Sequence, residues 1–233
     1  MNSEESLQRL RLNPRLLKIA ELVSNCESLA DIGTDHGYIP IYALLKGTAK
    51  SAIASDINKG PIKRAKKNVL AFGLADKISL RVGPGLTTVE AGEAETIVIA
   101  GMGGILISDI LEESKKTVSL AKQLILQPMT AEKELREYLC TNNFTIEEEI
   151  LVAEEEKIYN IICVSPGGRT EYSSKELVLG RGLENTSPML FEEYKRRILT
   201  KLEIKLAGLS KSDLDKNKAE AHRVRQLIEE IKN

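Results

Sequence analysis

The chain has 233 residues, 42% of them hydrophobic and 29% charged, with a formal net charge of −1, which is enough for one α/β domain and a modest appendage and argues against disorder throughout. No apolar run approaches the ~20 residues that span a bilayer, and Met1 to Arg11 is polar with no signal-peptide core, so a cytoplasmic protein with no membrane segment is expected. Three scattered cysteines without a CxxC pair, and two distant histidines, His36 and His222, argue against a disulfide scaffold, a metal site and a Ser-His-Asp triad.

Asn13-Pro14 is a helix N-cap with proline in the first turn, and Leu16, Leu17, Ala20, Leu22 and Val23 continue an apolar helical face. Ser28 to Ile32 is a strand ending in Gly33-Thr34-Asp35-His36-Gly37, and Tyr38 to Lys46 is helical up to Gly47. Ala49 to Ser55 is a second strand ending in Asp56, followed by a helix that Asn58 caps and that runs to about Phe72-Gly73. Ile78 to Val82 is a third strand before Gly83-Pro84-Gly85, and Glu95 to Ala100 a fourth before Gly101-Met102-Gly103-Gly104. Leu124 to Leu126 is a fifth strand, stopped by Gln127-Pro128. After a helix from about Thr130 to Thr141, Phe144 to Val152 and Lys157 to Val164 form a hairpin.

This alternation predicts an α/β, Rossmann-like domain: a mostly parallel seven-stranded sheet with a terminal β-hairpin, similar in order to class I methyltransferases. A dinucleotide-binding dehydrogenase would more usually continue with a sixth parallel βα unit. Residues 1–166 are the expected cofactor-binding catalytic domain. Residues 167–233 are a linker to about Pro188 and a helical, coiled-coil-like hairpin. Its two faces are Phe191, Tyr194, Ile198, Leu202, Leu206 and Leu209, then Ala221, Val224, Leu227, Ile228 and Ile231.

Gly33 and Gly37 stand where a strand turns into a helix whose N-terminus faces a ligand. Asp31 and Asp35 make that loop acidic, which would repel a pyrophosphate and suits the ammonium of S-adenosyl-L-methionine. Asp56, at the next strand end, has the spacing of a ribose-binding carboxylate, with Ile57 beside it. Gly83 and Gly85 would lie around an adenine ring. Ala100, Gly101, Met102 and Gly103 occupy the reaction position, supplying backbone and space instead of side-chain acceptors. Such a loop suits a ring nitrogen, whose lone pair needs only placement. Asp35, His36 and Met102 are the candidate catalytic residues, with Asp35 able to stabilise a cationic methylated base. Each glycine turn also has a plain structural explanation, and Asp35 a helix-capping one.

Residues 187–233 hold eleven Lys/Arg against eight Asp/Glu, and Arg9, Arg11, Arg15 and Lys18 cluster near the start, a pattern that permits a polyanionic partner. The residues alone leave open a methyltransferase for a small molecule or protein, or a non-catalytic RNA-binding module. They also leave the oligomeric state open, a monomer included.

The segments ADIGTDHGYIP (Ala30 to Pro40), SAIASDINKGPIKRAKKNV (Ser51 to Val69), TIVIAGMGG (Thr96 to Gly104) and LILQP (Leu124 to Pro128) closely resemble the bacterial TrmK family. The resemblance covers nearly the whole chain and implies S-adenosyl-L-methionine-dependent methylation of N1 of adenine 22 in tRNA, with the target base flipped into the site and methylated by direct in-line transfer. It makes Arg9, Arg11, Arg15, Lys18, Lys195, Arg196, Arg197 and Lys201 candidate phosphate contacts. Asp56 stands where the family commonly has Glu, Pro84 where it has Asp or Asn, and Met129 where it has Asn.

Overall fold

The computed structural model describes residues 3–210 and 215–233. The chain divides into two compact units, residues 1–170 and 171–233. The first unit runs α1 (Ser3–Arg9), α2 (Pro14–Glu21), β1 (Cys26–Ile32), α3 (Tyr38–Lys46), β2 (Ala49–Asp56), α4 (Lys59–Ala71) and β3 (Ile78–Val82). A 3-10 turn at Gly85–Thr88 leads to β4 (Thr96–Gly103), α5 (Gly104–Glu113), α6 (Lys115–Ser119), β5 (Gln123–Thr130), α7 (Glu132–Thr141), β6 (Phe144–Glu154) and β7 (Lys157–Pro166). The second unit holds α8 (Ser174–Leu179), α9 (Leu183–Thr186), α10 (Pro188–Leu209) and α11 (Asp215–Lys232).

The seven strands form one sheet in the order β3-β2-β1-β4-β5-β7-β6. The first five are parallel, and β7 is antiparallel to both β5 and β6. Successive residues of the central strands feed opposite faces, as a period of two requires. Ile97 and Ile99 of β4 and Leu124 and Leu126 of β5 enter one core cluster, while Val98 and Ile125 enter the other. Helices on both faces therefore bury the sheet, and its strands read as near-continuous apolar runs.

The structure departs from the sequence reading at the site end of the sheet. β4 does not stop at Ala100 but continues to Gly103, and β5 runs through Pro128 to Thr130. A proline is tolerated there because the ladder is already irregular: the register shifts between Ala100 and Met102, where Gly101 adopts φ +77°. Asn58 sits at the N-cap of α4, but its side chain makes no capping bond. The stretch expected to be a linker holds α8 and α9, and α8 opens with a capping box between Ser173 and Glu176. In α10 and α11, Tyr194, Ala221, Val224, Ile228 and Ile231 are buried. The pairs Lys205–Glu220 (2.6 Å) and Lys232–Glu203 (2.9 Å) run antiparallel, and the connection at 211–214 lies outside the described residues.

Arg136 of α7 is completely buried and fixes the hairpin to the helical layer. Its Nε and Nη2 donate to Glu149 Oε2 of β6 at 2.9 and 2.8 Å, and Nη2 also donates to Asn160 Oδ1 of β7 at 3.1 Å. Removing one partner breaks a buried ion pair. Arg136→Met is expected to lower unfolding free energy by about 3–5 kcal/mol in urea denaturation, and adding Glu149→Gln to restore much of it. A single-variant loss below about 1 kcal/mol would show that the pair does not hold this edge.

Candidate functional site

Strand order reverses direction between β1 and β4, and at such a switch point the carboxyl ends of the strands diverge into a crevice. Here it opens into a cavity of about 400 Å³ lined by the β1–α3 loop, the start of α2, and Ala100 and Gly101 of β4. The loop is drawn tight by its own backbone. Gly33 and Thr34 both donate to the Ser55 carbonyl at 2.8 and 2.9 Å, and Gly37 N donates to Thr34 Oγ1 at 3.1 Å. Gly33 has φ +80°, and a Cβ there would lie 2.2 Å from Met102 Cε. The left-handed turn from strand to helix favours glycine here, while the methionine tip is flexible enough to shift.

Asp31 is 5% exposed. Burial pushes its carboxyl up to about 6, with the nearby Asp56 charge adding to the rise and a hydrogen bond from the Thr34 hydroxyl opposing it. Asp35, by contrast, is exposed at the mouth. Arg64 Nε donates to its Oδ1 at 3.0 Å, Arg64 Nη2 also pairs with it, and His36 Nε2 lies 3.3 Å from its Oδ2. The His36 ring stacks on Tyr38 with centroids 5.1 Å apart.

Of the residues singled out from sequence, Asp31, Gly33, Asp35, His36, Gly37, Ala100, Gly101 and Arg15 line this cavity. Asp56, Ile57, Gly83 and Gly85 lie along the carboxyl edge at β2 and β3. Asp56 Oδ1 accepts from Asn58 N at 2.7 Å, and its carbonyl accepts from Gly83 N at 3.0 Å. Ile57 and Val82 leave apolar side chains 63% and 48% exposed there. The turn's own packing accounts for two of the glycines: a Cβ on Gly83 would meet Thr88 and one on Gly85 would press on Ile110. Met102 packs partly against the core, while Gly103 lies beside Thr130 Oγ1.

Arg15, expected among the phosphate contacts with Arg9, Arg11 and Lys18, is turned into the cavity. Its Nη1 donates to Gln127 Oε1 at 2.7 Å, and its guanidinium carbon lies 5.3 Å from the Tyr159 ring centroid. Arg9 packs over Phe72 and Arg11 is exposed. In the second unit, Arg196 and Arg197 pair with Glu193 of their own helix, and Lys201 is exposed. Gln127 and Tyr159 were not among the site residues read from sequence. Gln127 is wholly buried; besides Arg15 it accepts from Gly101 N at 3.2 Å and donates to the Pro128 carbonyl at 2.6 Å. A lone amide ending the apolar run Leu124 to Leu126 was the available signal. Among the described residues no cluster of three or more His, Cys, Asp or Glu could hold a metal ion, and no helix is long and apolar enough to cross a membrane.

Residues 12–162 match the family described as methyltransferase domain. The chain is 40% identical over 163 residues to the tRNA (adenine(22)-N(1))-methyltransferase of Bacillus subtilis, covering 70% of this chain and 68% of that one. The crystal structure of the B. subtilis M1A22 tRNA methyltransferase TrmK superposes with a TM-score of 0.87 at 33% identity, covering 96% of this chain and 100% of that chain. M. capricolum TrmK, solved with the natural cofactor product S-adenosyl-homocysteine, superposes with a TM-score of 0.76 at 28% identity, covering 95% of this chain and 96% of that chain.

The Asp31 carboxyl links the site to stability. Its folded value, about 6, lies above the 3.8 of an ordinary aspartate, so the folded state holds the proton more tightly than the unfolded chain. The stabilising contribution is complete below about 3.8 and is lost as pH rises through about 6. Asp31→Asn removes this dependence. In ligand-free protein it is expected to be more stable than wild type by on the order of 2–3 kcal/mol at pH 7.5, with the two converging near pH 4. Urea titrations at both pH values check this, and equal stability at pH 7.5 would overturn it.

Proposed function

The chain belongs to the TrmK family of tRNA (adenine(22)-N(1))-methyltransferases, and from that we propose that it methylates N1 of adenine 22 in tRNA with S-adenosyl-L-methionine as methyl donor. The observation that carries this reading is the cavity itself: at the β1/β4 switch point it joins a buried carboxylate, Asp31, to the bulged end of β4 at Gly101. On this reading the enzyme works in the cytoplasm, where its tRNA substrate is.

The residues present fit the donor. Asp31 offers a desolvated carboxylate to an ammonium, and Asp56 at the end of β2 offers one to a pair of ribose hydroxyls. Ile57 and Val82 supply exposed apolar faces for an adenine ring, with the backbones of Gly83 and Gly85 at its edge. Gly33, Gly37, Ala100, Gly101, Met102 and Gly103 form the wall against which the donor rests. When bound, S-adenosyl-L-methionine supplies an electrophilic methyl group.

The chain's part in the chemistry is placement. Adenine N1 already has an in-plane lone pair and carries no proton to be removed, so no residue need act as general base. Gly101, held open by Gln127, leaves room for the base beside β4, so that a flipped-out adenine meets the methyl in line. Methylation leaves the base cationic, and Asp35, with His36 beside it at the mouth, lowers the energy of that charge. The Arg64 pair and exposure of Asp35 screen the effect. Arg9, Arg11 and Lys18 in the first unit, and Lys195, Arg196, Arg197 and Lys201 in the second, contact tRNA phosphates. Binding then weakens steeply with salt.

Transfer of radiolabelled methyl to tRNA transcripts with adenine or guanine at position 22 tests the reading. Label with adenine alone, mapped to N1, is expected. Label on both would discard the position, and label on neither despite cofactor binding would discard the reaction. Asp35→Asn is expected to lower kcat by about tenfold at saturating cofactor, and an undiminished kcat would remove Asp35 from the catalytic set.

A further inference from the structure

Arg15 is anchored far more elaborately than a surface phosphate contact needs. Its backbone N–H donates to Glu154 Oε2 at 3.1 Å, its Nη1 to Gln127 Oε1 at 2.7 Å, and its guanidinium lies over Tyr159. Two strands, β5 through Gln127 and β7 through Tyr159, thus hold the side chain beside Gly101, where an added Cβ would lie 3.9 Å from Nη1. Yet Nε is buried and donates to nothing. A buried donor left unmade is costly, and the side-chain oxygen that Arg15 engages belongs to a neutral amide, so the guanidinium meets no carboxylate there. Such a half-used fork is complementary to a ligand that carries a hydrogen-bond acceptor, above all an anionic one.

Position indicates which ligand. Asp31 and Asp56 mark the β1 and β2 side of the crevice. Arg15 is pinned instead to the ends of β4, β5 and β7, through Gly101, Gln127 and Tyr159. On the proposed reading of the site, that is where the acceptor base enters.

We propose that Arg15 is a positioning residue for the target nucleotide: clamped by Gln127 and Tyr159 at the cavity wall, it donates from its guanidinium to an acceptor carried by the flipped adenosine and so sets N1 against the methyl. The acceptor is an oxygen of that nucleotide's phosphate or a ring nitrogen away from N1. Charge favours the phosphate, because methylation makes the base cationic and a guanidinium against the ring would oppose it.

This inference rests on the tRNA methyltransferase reading, and the test separates the two. If wild type fails to label the adenine-22 transcript, the reading itself fails. If wild type labels it, Arg15→Gln and Arg15→Lys are compared for kcat and KM toward that transcript, for S-adenosyl-homocysteine affinity by calorimetry, and for thermal melting. Expected is a loss of about 100-fold in kcat/KM for tRNA, the scale of a misplaced reactant, little recovered by lysine because the fork geometry is lost. S-adenosyl-homocysteine affinity should stay within about threefold of wild type, a fraction of a kcal/mol by the same arithmetic. A phosphate contact would also lower the slope of log affinity against log salt by about one. A ring-nitrogen contact would leave the slope unchanged and show instead with a 7-deaza- or 3-deaza-adenine transcript, which wild type would methylate slowly and the variants no more slowly still. Unchanged tRNA kinetics would overturn the proposal, as would an affinity for S-adenosyl-homocysteine reduced about tenfold or more, which would make Arg15 an anchor for the donor's carboxylate. Tyr159→Phe, which keeps the ring under Arg15, should retain most activity, and its failure alongside Arg15→Gln with lowered melting would assign Arg15 a structural role only.

Discussion

Where β4 and β5 end, the parallel ladder becomes irregular, and at the bulge the Gly101 backbone N–H turns to the side chain of Gln127. Gln127 Oε1 takes that N–H, and its Nε2 satisfies the Pro128 carbonyl in the same buried space. One amide therefore closes the hydrogen-bond account of two strand ends. The consequence reaches beyond backbone satisfaction: with its second oxygen lone pair Gln127 receives Arg15, so the same atom that stabilises the bulge orients the cavity's guanidinium. A hydrocarbon at 127 would leave Gly101 N unpaired and Arg15 unmoored together, whereas most residues around the cavity affect one feature each.

Asp31 presents the opposite case, a side chain whose environment works against its charge. A carboxyl with 5% exposure, a second carboxylate nearby and one hydroxyl donor is held in the fold at a cost. On the proposed reading, a cation bound there would offset that cost. An acidic, desolvated pocket floor also discriminates, because a pyrophosphate placed over it would meet repulsion in a region of weak screening. The loop that ends β1 is thus selective through electrostatics as well as through the space left by Gly33.

Alternation of apolar runs with glycine turns made the sheet legible from sequence, since strands buried on both faces cannot be mistaken for solvent-facing ones. Asp31, Gly33, Gly37 and Asp56 were legible because a strand-to-helix turn fixes where the next residues point. The ends of β4 and β5 were not. Gly101 and Pro128 read as stop signals by local propensity, whereas a bulge and an irregular ladder accommodate both within strands. The inward placement of Arg15 was not legible for a related reason: charge clustering in sequence ignores facing, and helix α2 points residue 15 inward while residue 11, before the helix, stays exposed. The Gly83-Pro84-Gly85 turn read as a ligand loop, and its glycines also meet a packing demand, from Thr88 and Ile110, that the sequence does not announce. The short helix α8 could have been found from Ser173 and Glu176, a capping-box spacing inside a stretch otherwise rich in turn residues.

The basic helices of the second unit raise the question of whether internal ion pairs have already used up their charge. Arg196 and Arg197 share Glu193, and Lys205 and Lys232 pair across the hairpin with Glu220 and Glu203. Exposed pairs of this kind contribute little, because water screens them and each holds two long side chains in one geometry. Exchanging Glu193 for a phosphate therefore gives up little of the helix's stability, while release of counterions from the nucleic acid adds a favourable term that the internal pair lacks. On the proposed reading, internal pairing would act as storage, keeping the guanidiniums ordered on one turn of α10 until a polyanion displaced the carboxylate. A shared Glu193 also means that taking either arginine away strengthens its neighbour's remaining pair, so the two cations are coupled through one acid and their contributions to RNA binding should not be additive.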